Sequence, residues 1–112
     1  MNYYKIKAVL HSGTKGERHK QREDDKYPML KNRIVEFDKN DIMIGLPLYL
    51  NYIKDENGND YRDGLGLRTS SVLDIPIERE DMIVFETFNS IYVLEKIEMV
   101  DGIVVEDLDR EV

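Results

Sequence analysis

The chain has 112 residues, which gives room for one domain around one core. Its net charge of −7 excludes general binding to DNA or RNA, where Lys and Arg neutralising phosphates supply most of the affinity. It has no cysteine, hence no disulfide framework or thiolate chemistry, and no apolar run nears the roughly 20 residues of a membrane helix, so a soluble, cytoplasmic protein without membrane contact is expected.

The charge is unevenly divided. Residues 1–33 hold nine Lys and Arg against four Asp and Glu, whereas the other 79 hold seven against nineteen. A basic third joined to an acidic remainder either balances within the fold, forms a local anion site, or docks one subunit's basic segment on another's acidic surface.

In chain order, residues 3–10 alternate as a strand, with Tyr4, Ile6, Ala8 and Leu10 on one face and Lys5 and Lys7 on the other. Residues 11–28, HSGTKGERHKQREDDKYP, show no periodicity and hardly any apolar side chain, and a loop that long in a small domain is where function concentrates. Residues 29–37 resume as a strand, with Ile34, Val35 and Phe37 as core contributors, and 38–41 form a turn. Gly45 and Pro47 exclude a helix, and Pro47 belongs at an edge or a strand start. A strand over 48–53 leads to an Asn57-Gly58 hairpin turn; the return strand, 65–74, follows Asp63-Gly64 and is predicted to bulge at Gly66. Residues 75–81 are read as a link.

Residues 82–105 read as three antiparallel strands about Asn89-Ser90 and Asp101-Gly102, the second a type I′ turn. Counting outward pairs Val100 with Ile103 and Met99 with Val104, and in the first hairpin Phe85 with Leu94 and Val84 with Glu95. One face carries Met82, Val84, Phe88, Ile91, Val93 and Ile97, the other Ile83, Phe85, Tyr92 and Leu94. A sheet apolar on both faces must be covered twice or rolled on itself. The tail 106–112 is acidic, and no amphipathic helix of three turns occurs. The expectation is an all-β fold, a small antiparallel barrel of six or seven strands, SH3-like or similar, with an OB-like barrel as the alternative.

Asp55, Asn57 and Asn59 alternate like calcium ligands, but Gly58 is misplaced and Gly66 stands where a bidentate Glu is required, so a plain hairpin turn is read there and no metal. Ser12, Gly13, Thr14, Lys15 and Gly16 suit a phosphate cradle without being a P-loop, and Arg18, His19 and Arg22 follow closely, although Glu23, Asp24 and Asp25 stand ready to neutralise them. His11 and His19 sit in no catalytic or metal-binding spacing, so neither enzymatic activity nor a cofactor is expected. Arg68 with its hydroxyl neighbours, and Phe88, Asn89 and Tyr92 at the hairpin, read either as turn chemistry or as a nucleotide site: a cation for phosphate, an amide for a base edge, rings for stacking.

The string Arg68-Thr69-Ser70-Ser71-Val72, a short acidic link, then Thr87-Phe88-Asn89-Ser90-Ile91-Tyr92 resembles a pattern in short β-rich proteins of phages and Firmicute mobile elements. Proteins of this size from phages include the anti-Thoeris sponges, oligomers that sequester a nucleotide second messenger of bacterial immunity. The resemblance implies a non-enzymatic, homo-oligomeric anti-defence protein of the host cytoplasm that sequesters an anionic, nucleotide-like ligand. The residues themselves, and not the resemblance, suggest where: Arg68 and Asn89 with Tyr92 or Phe88 stacking at one site, and Arg18, His19 and Arg22 with Ser12 and Thr14 holding phosphate at another. The alternative is a protein-interaction or virion module acting through its acidic surface or the 11–28 loop.

Overall fold

Six strands close into one antiparallel barrel in the computed structural model, which describes residues 2–61 and 65–105. The Asp63-Gly64 pair and the tail 106–112 lie outside the described residues. The barrel strands are β1 (Asn2–His11), β2 (Ile34–Phe37), β3 (Pro47–Lys54), β4 (Gly66–Glu78), β5 (Met82–Thr87) and β6 (Ser90–Ile97). Each pairs with its sequence neighbour, and β6 returns to β1. A meander antiparallel at every seam closes only with an even number of strands, which selects six over seven. The consecutive order also removes the OB-like alternative, a Greek-key arrangement.

Inward side chains fill the barrel. Tyr4 and Ile6 from β1, Val35 and Phe37 from β2, Leu48 and Leu50 from β3, Val72 from β4, Ile83 and Phe85 from β5, and Tyr92 and Leu94 from β6 are all buried in one cluster. The face expected to hold Ile83, Phe85, Tyr92 and Leu94 together is therefore the inner face. The pairing differs, however: Phe85 faces Tyr92 and Val84 faces Val93, two places from the expected partners. The turn sits one residue earlier, with Phe88 and Asn89 at its tip, where the Thr87 hydroxyl closes it by accepting from Ser90 N and donating to Ser90 O, both at 3.1 Å. A slip of two leaves every side chain on its own face.

In β1 a bulge between Ile6 and Ala8 changes the phase, so that Val9 turns inward in place of Ala8 and Leu10. Residues 29–30 are not strand; they belong to a single helical turn, α1 (Tyr27–Leu30), and residues 75–78 are strand and not a link. Gly66 does not bulge: it pairs in register with Asn51, and a Cβ there would lie 2.5 Å from Leu50 O and 2.6 Å from the Tyr49 ring. β7 (Met99–Val100) and β8 (Ile103–Val104) pair as expected about Asp101 (φ 51°) and Gly102 (φ 76°). They form a separate ribbon, not a third strand of the barrel wall, and Val104 packs with Ile34 and Ile97 outside the barrel.

Candidate ligand site at the barrel mouth

The basic loop is ordered by its backbone. His11 N donates to Lys20 O (2.8 Å), His19 N to His11 O (2.9 Å) and Arg22 N to Val9 O (2.8 Å), so the chain folds back along the end of β1 and carries Arg22 to the interior. The loop also reaches the β5–β6 tip. Ser12 Oγ and Thr14 Oγ1 both donate to Phe88 O, at 2.7 and 3.0 Å, and Thr14 Oγ1 lies 3.2 Å from Asn89 Oδ1. Sequence positions some 75 residues apart thus form one polar clasp.

The cations of that clasp have carboxylate partners. Arg18 grips Glu86 with both terminal nitrogens (2.9 and 2.7 Å) and donates to Ser12 O (2.7 Å). Its hydrogen bonds hold the Glu86 carboxyl below the usual range. Arg22 is 2% exposed; it donates to the Asp24 carboxylate, to Ser90 Oγ (2.8 Å) and to Asn89 O (3.3 Å), and lies 3.8 Å over the Tyr27 ring. These bonds pull Asp24 down to about 2. The acids after the basic run therefore do neutralise part of it, in the case of Asp24 and Arg22.

Of the other expected site residues, His19 is exposed in the loop with φ 74°, Phe88 is exposed at the hairpin tip, and Arg68 is exposed on β4 opposite Tyr49. Tyr92 is part of the core, stacked on Phe85 at 5.0 Å, where burial raises its phenol well above the ordinary range. The structure brings Ser12, Thr14, Arg18, Arg22, Phe88 and Asn89 into one neighbourhood and saturates most of their hydrogen bonding there.

A less satisfied group sits at the open end of the barrel. The inward phase of β2 runs back from Phe37 and Val35 to Arg33, that of β3 forward from Leu48 and Leu50 to Tyr52, and Leu67 opens β4; α1 lies across them with Tyr27 and Leu30 against the core. Together with Asp25 and Lys26 these residues line a mainly apolar cleft of about 540 Å³. Arg33 is 8% exposed, with its guanidinium 4.9 Å from the Tyr52 ring centre and 5.3 Å from that of Tyr61, and the two rings stack at 4.8 Å. Among the described residues one of its nitrogens reaches Glu56 at 3.3 and 3.4 Å, the Tyr52 hydroxyl is a further polar neighbour, and Nε is buried without a partner. Charge-assisted bonds of this type normally lie near 2.7–2.9 Å.

A second cleft, about 560 Å³, lies between the 55–58 turn, Asn32 and the β7–β8 ribbon. Its lining mixes Lys5 and Lys54 with Asp55 and Glu56, and Lys54 is already tied to Asp60 at 2.7 Å. We prefer the mouth, where apolar walls surround an under-bonded cation. Among the described residues no three His, Asp or Glu side chains gather as a metal cage.

The mouth residues were not among the expected site residues, though a signal existed: Arg33, Val35 and Phe37 share one strand phase, which places a cation on an apolar inner face. No protein-family model, curated protein or solved structure matches the chain.

Proposed function

We propose that this protein is a non-enzymatic binding barrel that takes a small, flat, anionic compound of nucleotide class into its mouth. The observation that carries the reading is Arg33: a guanidinium with five donors, buried among rings and aliphatic groups, with long bonds to Glu56 and a buried Nε that has no partner among the described residues. A buried charge with so few hydrogen bonds is costly, and a phosphate arriving through the cleft would replace or share Glu56 and complete the fork. Lys26 adds a second cation, and Tyr27 and Tyr52 supply apolar ring surface for a base. The cleft falls within the roughly 300–1,000 Å³ typical of small-molecule sites. Mouths of barrels are a favoured place for them.

The sequestering role completes the proposal, as in the anti-Thoeris sponges found among phage proteins of this size: the bound signal is held out of circulation in the host cytoplasm. Thermal unfolding against ADP-ribose derivatives and cyclic nucleotides tests it. A ligand at a hundredfold excess over Kd stabilises by about 2.7 kcal/mol, a rise of roughly 10 °C. Arg33→Gln should lose the shift, and Glu56→Gln, which removes the competing carboxylate, should strengthen binding. No shift with any anionic nucleotide, or equal shifts in both variants, overturns the assignment.

A further inference from the structure

Three uncharged stretches meet on the barrel wall, the chain through β3, the middle of β4 and the β5–β6 tip beyond Glu86, and their outward side chains share one surface while Leu48, Leu50, Val72, Tyr92 and Leu94 belong to the core. Residues 42–53, 69–73 and 87–94 contain no Asp, Glu, Lys, Arg or His in a chain that is 35% charged. Backbone bonds tie them together: Gly45 N to Val72 O (2.7 Å), Val72 N to Leu46 O (3.0 Å) and Phe88 N to Ser71 O (3.0 Å). Their exposed side chains are large and apolar: Met43 at 58%, Ile44 at 61%, Leu46 at 53%, Leu73 at 49% and Phe88 at 57%. At roughly 100 Å² for each half-exposed side chain of this size, they present on the order of 500 Å². That is near the largest apolar patch of an ordinary monomer, and it matches the apolar share, about 65%, of the roughly 800 Å² that each partner buries in a standard interface.

We infer that this face is a two-fold contact with a second copy of the same chain, a conclusion independent of the ligand at the mouth. Two molecules of charge −7 repel, and a face without charges is where they can meet without placing like charges opposite each other. The rim supports a self-complementary fit. The neutral run of β4 is centred on Ser71 and bounded three residues away on one side by Arg68 and on the other by Asp74. Both are exposed, and Arg68 makes no ion pair among the described residues. A two-fold axis at Ser71 sets Arg68 of each copy against Asp74 of the other, so one isologous contact forms the pair twice.

Light scattering coupled to size exclusion should give about twice the 13.2 kDa chain mass, with association strengthened by salt as the net repulsion is screened. Ile44→Glu with Phe88→Glu, both at exposed positions, should give a folded monomer. Arg68→Glu or Asp74→Arg alone should weaken the dimer by about tenfold, and the two together should restore it. A wild-type monomer at every concentration overturns the inference. So does a dimer indifferent to Ile44→Glu/Phe88→Glu, or a charge swap that fails to rescue.

Discussion

Replacing Arg22 by Ala should be among the most damaging single changes in the basic loop, although its position in a polar stretch suggests tolerance. The side chain is 2% exposed and makes hydrogen bonds to Asp24, to Ser90 Oγ and to Asn89 O while covering Tyr27. Breaking a buried ion pair from one side costs about 3–5 kcal/mol. The lower end applies here, because the Asp24 side chain is 40% exposed and can be rehydrated. Lost contact with Tyr27 contributes about 1–2 kcal/mol and the orphaned Ser90 hydroxyl a similar amount, which also points to about 3 kcal/mol. The internal control is Arg18→Ala: Arg18 is held by Glu86 in a bidentate pair but its side chain is 49% exposed and screened by water, so a much smaller loss than for Arg22→Ala is expected. Urea unfolding of both variants measures the difference, and the thermal midpoint of Arg22→Ala should fall by roughly 12–15 °C. Equal losses in the two variants, or a loss under about 1 kcal/mol for Arg22→Ala, would refute its role as a core residue.

Gly66→Ala should destabilise by about 1–3 kcal/mol in denaturant titration, because the added methyl meets the Leu50 carbonyl and the Tyr49 ring at 2.5 and 2.6 Å; wild-type stability would show that the strand seam yields there. Acid should unfold the protein through its paired carboxylates. Asp24 is depressed from 3.8 to about 2, and Glu86 and Asp55 are also lowered, so their contribution is complete above the unfolded values and is lost as pH falls from about 4 towards 2. Circular dichroism across that window should show stability falling with pH, with Arg22→Ala showing a flatter profile, and a profile identical to that of the wild type would contradict the Arg22–Asp24 linkage.

The barrel was legible because strand periodicity survives errors of register. The β5–β6 hairpin slipped by two residues because its turn sits one residue earlier, yet Ile83, Phe85, Tyr92 and Leu94 stayed on one face. The face of β1 was misjudged past Ile6 because a bulge changes the phase without leaving a mark in an apolar alternation. The loop 11–28 carried no periodicity to read, and its order comes from backbone bonds to β1 and from Arg22, a residue that composition assigns to the surface. In the candidate site, the loop and the hairpin tip, read from the sequence as two separate sites, meet in one clasp, and carboxylates from outside the proposed set, Glu86 and Asp24, occupy the cations. Arg33 was hidden for a different reason: its neighbours at the mouth, Tyr52, Leu67 and Tyr27, converge only when the barrel closes.

The most direct test of the mouth site is an amide-resolved NMR titration with ADP-ribose. Binding there predicts saturable shifts at Leu30, Arg33, Tyr52 and Leu67, with residues 12–19 largely unmoved. Shifts confined to residues 12–19 and 86–90, with the mouth silent, would contradict it.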